Sequence, residues 1–485
     1  MSGVTSSGTV KEYLTVEACS LQAENSVVKE SFTTYNHAEI QTIKPYPKYK
    51  DSGVEWIGEV PEGWEVKRLK YVAAINEKTL TEKTDKNHHF YYIDIGNVTL
   101  GKISFPVEKT SFESAPSRAR RLVEDGDTII STVRTYLKAI ANINIDDSDI
   151  IVSTGFAVVS PKFDYDKKYF SHLLTCEKII DKICSLSVGI SYPAVNSSDI
   201  ANIQVWYPVR KEEQTAIAAY LDRKTAEIDK LIANKERLIE LYEEEKKAVI
   251  NQAVTKGLDP DTEMKDSGVE WLGKIPKHWK VTHLKYLIKK LESGVSVNAT
   301  DHPAIDNDYG VLKTSCVYNY EFTPEENKAV WAEELSRVKV SPRKGEIIIS
   351  RMNTPELVGA SGYVGSDYQN LFLPDRLWQT LFYSHVQIDT YWLSFIFKSS
   401  KFRELLSITA TGSSSSMKNL AKEDFLNISI PFPLQKEQTA IVQHIETQCS
   451  CIDAIISKLK TQIDLFKEYR TALISEAVTG KIQIK

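Results

Sequence analysis

The sequence predicts an α+β protein written twice: two tandem globular domains of mixed strand and helix, separated by two long antiparallel helices that form a coiled coil, with a pseudo-twofold internal repeat. Three observations predict it. A 15-residue motif recurs once, a second and shorter motif recurs later in the chain, and each second motif opens a long stretch free of Gly and Pro. Self-similarity at a long period is read before anything else, because it fixes the architecture as a repeated unit.

The first motif reads KDSGVEWIGEVPEGW at Lys50 to Trp64 and KDSGVEWLGKIPKHW at Lys265 to Trp279; 10 of the 15 positions are identical at an offset of 215. The match continues through Leu69-Lys70-Tyr71 and Leu284-Lys285-Tyr286. The second motif, Glu213-Gln214-Thr215-Ala216-Ile217, returns as Glu437-Gln438-Thr439-Ala440-Ile441 at an offset of 224, as Ala253-Val254-Thr255 does at Ala477-Val478-Thr479. Between them a weaker match joins Gly126-Asp127 to Ser131 with Gly345-Glu346 to Ser350 at an offset of 219, so small insertions account for the drift.

Each copy is a globular part followed by a helical part. Short β-branched runs such as Thr128-Ile129-Ile130 and Ile347-Ile348-Ile349 read as strands between Gly and Pro punctuation. Tyr169 to Ser185 and Thr390 to Leu406 read as helical. In the first long stretch Leu221, Ile228, Tyr242 and Val249 keep a seven-residue period interrupted by Lys235, with Pro208 before it and Gly257 and Pro260 after it. In the second, Ile445, Ile452, Leu459, Phe466 and Leu473 repeat every seven. Such a seam over four or more heptads predicts a coiled coil, each helix about 60 Å long at 1.5 Å per residue, and the cheapest partner for either stripe is the other copy. The expected division is 1–44 as a tail of unknown order, 45–208 and 258–433 as globular domains (the latter with its linker), and 209–257 and 434–485 as helices.

A chain of 485 residues with 42% hydrophobic and 26% charged residues belongs with multidomain globular proteins. Its apolar runs are far too short to span a membrane and Met1 to Ser20 lacks a signal-peptide core, so a cytoplasmic protein without a membrane is expected. Six scattered cysteines without a CxxC framework suit reduced thiols. Sixty Lys and Arg against 65 Asp and Glu give a net charge of −5, so any nucleic-acid contact must come from local basic patches.

The two KDSGVEW motifs, the segments KEEQTAIAAYLD and KEQTAIVQHIE, and the two long helices resemble the specificity subunit of type I restriction–modification enzymes over roughly Tyr46 to Lys485. The resemblance implies that each globular part is a target-recognition domain reading one half of a split, asymmetric site in double-stranded DNA. It implies that the helices are a spacer docking two methyltransferase subunits, and that the chain itself is non-catalytic, with no catalytic or metal residue and no cofactor. S-adenosylmethionine, ATP and Mg then belong to the methyltransferase subunits and to the motor/endonuclease subunits. Relatives commonly begin near YPKYKDSG, which leaves residues 1–44 without an implied role.

In that family the segment after the Gly-Asp/Glu strand is a frequent DNA-facing loop. The resemblance therefore carries DNA binding to Ser131, Arg134, Tyr136 and Lys138, and in the second copy to Ser350, Arg351 and Asn353. Arg and Asn are natural partners of guanine and adenine edges; the alternative is that Arg134 pairs with a local carboxylate. A second candidate set is Ser191 and Tyr192 after Gly189, matched by Ser415, Ser416 and Lys418 after Gly412. Gly-Ser segments let backbone amides approach phosphate, or they are plain loops. Lys44, Lys48 and Lys50 between Tyr46 and Tyr49, and the cluster Arg118, Arg120 and Arg121, are further basic groups that solvent alone can account for.

Motifs for chemistry fail. No Asn/Asp-Pro-Pro-aromatic segment or Gly-rich cofactor loop supports methyl transfer. Gly96 to Lys102 approaches a phosphate loop, but Ile103 stands where a hydroxyl must bind magnesium. Asp261, Glu263 and Lys265 are too cramped for a nuclease site, Ser415 and Lys418 have SxxK spacing without further partners, and His88-His89 has no nearby ligand set.

Overall fold

A computed structural model of the chain describes residues 44–144, 149–305, 308–414 and 417–484; the tail up to residue 43 lies outside them. The chain forms two compact units, Met1–Ala233 with Gln462–Lys485, and Asn234–Thr461. Each unit therefore holds one globular lobe and a segment of both long helices, Lys211–Lys256 and Gln435–Val478.

In the first unit the buried run Thr128–Ser131 is an inner strand between Ile140–Asn142 and Phe156–Pro161, with Ala73–Ile75 outermost, all antiparallel. A second sheet runs Thr110–Ser111, His89–Ile93, Ile150–Ser153, Ala119–Leu122, its central pair parallel. The second unit repeats the first arrangement: Ile347–Ser350 lies between Ser361–Tyr363 and Leu377–Phe382, with Ile288–Ser293 outermost. The continuous apolar runs are strands because both of their faces are covered. Each helical stretch is two helices: Lys167–Leu174 and Glu177–Ser185 break at Cys176, and Thr390–Lys398 and Ser400–Thr409 break at Ser399.

The repeated motifs explain themselves physically. KDSG is a turn in both units: Asp51 Oδ1 accepts from the Gly53 amide and Asp266 Oδ1 from the Gly268 amide, each at 2.9 Å. The flanking strands pair in the same register, Tyr49 opposite Pro61 and Met264 opposite Pro276. The tryptophan closing each motif is fully buried and reaches the first turn of a long helix: Trp64 Nε1 donates to Glu213 Oε1 (3.1 Å) and Trp279 Nε1 to Glu437 Oε1 (2.8 Å).

The next residue, a buried glutamine, bonds at both ends of its amide. Gln214 donates to Pro208 O (2.8 Å) and accepts from the Asp166 amide (2.9 Å); Gln438 donates to Pro433 O (3.0 Å) and accepts from the Asp389 amide (2.8 Å). Asp166 and Asp389 in turn cap the helices that follow them.

Within each unit the long-helix segments run antiparallel. In the first, Glu213 meets Trp64, Gly480 lies against the same tryptophan, and Asp229 pairs with Arg470 at 3.0 Å. In the second, Gly257 lies near Glu437 while Lys246 pairs with Asp453 at 2.7 Å. Ile217, Leu221 and Ile228 share the first core with Leu473, Ile474 and Ala477; Ile250, Ala253 and Val254 share the second with Ile441 and Ile445. Gly257 and Gly480 end the helices at φ +77° and +70°, the left-handed cap where a side chain is strained.

Two predictions follow from these contacts. Gln438→Ala strands Pro433 O and the Asp389 amide in the interior and should lower stability by about 2 kcal/mol or more in chemical denaturation, whereas Thr439→Ala on the exposed side of the same turn should change it by less than about 0.5 kcal/mol. The Asp222 carboxyl accepts from His172 Nε2 (2.8 Å) and Lys168 Nζ (2.8 Å), which pull its pKa down to about 2. The folded state thus binds this proton less well than the unfolded chain, so the pair stabilises above pH about 4 and is lost as pH falls toward 2. Melting curves of wild type and Asp222→Asn should differ at neutral pH, modestly because the pair is partly solvated, and approach each other below pH about 4; a gap constant with pH would contradict this.

Candidate nucleic-acid interface

In the first lobe, Ser131 ends the inner strand fully buried, and its hydroxyl donates to Val133 O (2.7 Å). This bond turns the chain into a loop that emerges at Arg134. Arg134 and Lys138 both take positive φ, +49° and +53°, flanking the single 3₁₀ turn Thr135–Leu137. Each such residue costs on the order of 1–2 kcal/mol. The Tyr136 ring is exposed and Lys138 is half-buried.

The segment carrying Ser191 and Tyr192 lies against this loop. The Arg134 amide donates to Pro193 O (2.7 Å), the Val195 amide to Thr132 O (2.8 Å), and the Thr135 and Ser187 hydroxyls bond at 2.7 Å. The Arg134 guanidinium sits over the Tyr192 ring, 4.7 Å from its centroid, rather than on a carboxylate. Two candidate segments more than 50 residues apart in sequence form one exposed tip.

The second lobe joins its two segments by strand pairing: Met352–Asn353 aligns with Met417–Asn419, placing Asn353 opposite Lys418. Ser350 and Asn353 are buried. The Asn353 amide donates to the Tyr318 hydroxyl (2.9 Å) and Ser350 Oγ (3.3 Å), and its oxygen accepts from the Thr354 amide (2.9 Å), so this side chain holds the loop from within. Lys418 Nζ reaches Ala410 O at 3.4 Å. Ser415 and Ser416 lie outside the described residues.

Arg351 leaves its Nε buried without a hydrogen-bond partner among the described residues, between backbone bonds to Arg376 O and from the Leu420 amide. Beside it is Lys422, whose ammonium donates to Leu291 O (2.8 Å) and whose pKa is held below that of an ordinary lysine by burial and by the charges of Arg351 and Lys290. Lys290 also pairs with Glu292 at 3.5 Å. This cationic group is invisible to spacing arguments, because positions 290, 351 and 422 meet only through the sheet.

The other basic groups are largely engaged. Arg120 stacks on Phe112 and pairs with Glu82, and Arg121 donates to Thr79, leaving Arg118 exposed. Lys48 pairs with Glu62, and Tyr46 and Tyr49 bond Glu213 and Gly480 O. Gly96 to Lys102 forms a 3₁₀ turn and a two-residue hairpin, not a strand–loop–helix. Glu263 pairs with Lys277. Among the described residues no group of three or more His, Cys, Asp or Glu is placed to hold a metal ion, and no helix is long and apolar enough to cross a membrane.

The fold defines a class: an internally duplicated protein with two mixed α/β lobes, each built on an antiparallel pair of long-helix segments. Residues 61–241 and 276–465 match the type I restriction modification DNA specificity domain, and the chain belongs to that family. It is 24% identical over 431 residues to the type I restriction enzyme MjaVIII specificity subunit of Methanocaldococcus jannaschii, covering 88% of this chain and 94% of that protein. To the EcoKI specificity subunit of Escherichia coli K12 it is 21% identical, covering 88% and 90%. The match to the Escherichia coli EcoEI specificity subunit, 23% identical, spans 46% of this chain and 37% of that protein. The fold is similar to a chain in a structure of type I restriction–modification complex assembly and conformational transition (TM-score 0.66, 21% identity, 86% of this chain and 98% of that one). It also resembles the HsdS subunit of Thermoanaerobacter tengcongensis (TM-score 0.51, 22% identity, 87% and 98%).

The placements separate two kinds of residue. Arg134→Ala removes an exposed side chain whose described side-chain contact is the Tyr192 ring and should shift stability by less than about 1 kcal/mol. Asn353→Ala, which strands the Thr354 amide while the Tyr318 hydroxyl keeps its bond to Thr314, should cost about 1–3 kcal/mol of stability. Melting curves of both variants check the division: a loss for Arg134→Ala as large as for Asn353→Ala would contradict it.

Proposed function

We propose that this chain is the non-catalytic, sequence-reading subunit of a cytoplasmic type I restriction–modification complex, and that each lobe reads one half of a two-part, asymmetric site in double-stranded DNA. The observation that carries this reading is a pair of matching frames with unlike tips. The same inner strand ends at a buried serine in both lobes. The first lobe then presents Arg134, Tyr136, Ser191 and Tyr192 with Lys138 half-buried among them, and the second has half-buried Arg351, just before its short strand, and half-buried Lys418 on the strand paired with it.

Equivalent supports with different donor and apolar groups suit two different half-sites, because base edges are told apart by their donor, acceptor and methyl pattern. Phosphate contacts then fall to the lysines and set register. On this reading the chain holds no cofactor. Two methyltransferase subunits bring S-adenosylmethionine, and motor/endonuclease subunits bring ATP and Mg, while this chain fixes where they act.

Mapping methylated bases across a host genome with and without the gene tests the reading. A two-part motif should vanish on deletion, and replacing Glu59 to Pro208 by the corresponding part of another such protein should change one half of the motif only. An unchanged methylation pattern would remove the proposal; a swap that alters both halves would remove the assignment of one half to each lobe.

A further inference from the structure

The tip of the first lobe carries an isoleucine in the most exposed setting a side chain can have. Ile190 is 102% exposed, between Gly189 and Ser191. Its loop is closed at the base by reciprocal backbone bonds, Val188 amide to Ala194 O (2.8 Å) and Ala194 amide to Val188 O (3.0 Å). Gly189 turns the chain at φ +119°, where an added Cβ would crowd Tyr192 O at 3.2 Å. The far side is pinned by Arg134, through its amide on Pro193 O and its guanidinium on the Tyr192 ring. The ordering of this loop is thus complete before any partner arrives, which is the condition under which a small contact adds affinity.

Resting on the DNA-reading function proposed above, we infer that Ile190 packs against the C5-methyl group of a thymine in the half-site read by the first lobe. The side chain has no donor or acceptor, and the methyl group is the apolar feature that a base edge offers in a groove. Exposed Val188, Leu137 and Tyr192 share the tip with two cations, Arg134 exposed and Lys138 half-buried, and it is these cations, suited to phosphates or guanine, that point to nucleic acid as the occupant. Ile190 would then make the first lobe sensitive to one methyl group at a position where no hydrogen bond is exchanged. The second lobe has Gly412 and serines in the matching place, so no counterpart is expected there.

The test uses the complete complex with its methyltransferase subunits, on duplexes bearing the mapped motif. Each thymine is replaced singly by uracil, which removes the methyl group and keeps pairing. Wild type should lose about fourfold in affinity at one thymine of the first lobe's half-site, the burial of one methyl group converted at 1.4 kcal/mol per tenfold. Ile190→Ser should bind the thymine duplex about as weakly as wild type binds the uracil one, and should no longer distinguish the two. Ile190→Val should keep part of the discrimination. The position is fully exposed, so melting temperatures should not move.

Equal binding of all uracil duplexes by wild type would overturn the inference, as would discrimination that survives in Ile190→Ser. Loss of methyltransferase assembly at unchanged thymine discrimination would assign the tip to a protein partner and overturn it equally. A complex that prefers the mapped duplex to a scrambled one but ignores uracil refutes the Ile190 contact alone. Failure to prefer the mapped duplex refutes the DNA-reading function itself.

Discussion

Two buried glutamine side chains join the lobes to their helices. A proline carbonyl at the end of one strand or just past the end of the other, and the aspartate amide that opens a helix, each leave a backbone group without a partner inside the protein, and such groups cost about 1–3 kcal/mol apiece when stranded. Gln214 and Gln438 satisfy both at once, because a single amide carries an acceptor and donors at opposite ends. The preceding glutamate receives the indole of the buried tryptophan. The first turn of each long helix is therefore part of a lobe's interior, and the direction in which the helix leaves is set by side chains that cannot rotate independently.

On this fixed frame the lobes diverge at one place. Ser131 and Ser350 both close the inner strand, yet Ser131 bonds its own loop two residues on while Ser350 receives the Asn353 amide. From there one chain rises into a strained turn with a cation on an aromatic ring, and the other forms a strand against Met417–Asn419. Recognition chemistry commonly sits on loops held by rigid elements, since loops tolerate change that a packed core does not. Here the boundary between the two falls within three residues.

The duplication was legible because the repeated residues are held by local chemistry: an aspartate accepting from the amide two residues on, a tryptophan whose indole needs a carboxylate, a glycine at a helix end. The long helices were legible from their seven-residue stripe. The breaks at Cys176 and Ser399 were not, because both stretches keep their apolar period across them and only packing decides the turn. At the tips, residue type alone did not separate Asn353, whose amide is used up internally, from Arg134, whose guanidinium is exposed over a ring. Nor did sequence place Arg351 and Lys290 around Lys422. Both failures have one cause: burial and proximity across a sheet depend on residues that are distant in the chain.

The first unit closes on a segment that follows the second lobe in sequence. Trp206 Nε1 donates to Val478 O at 2.6 Å, Gln483 bonds Lys44, and Leu473, Ile474, Ala477 and Ile482 belong to the core that surrounds Trp64. A ribosome delivers those residues after the whole of the second lobe. The first lobe thus leaves the exit tunnel with one wall missing and its largest aromatic side chains part-covered, and must wait through the synthesis of more than 200 further residues for the segment from Gln462 onward that seals it. A message cut short between the second lobe and Gln462 yields a chain whose first lobe, although fully translated, has no lid.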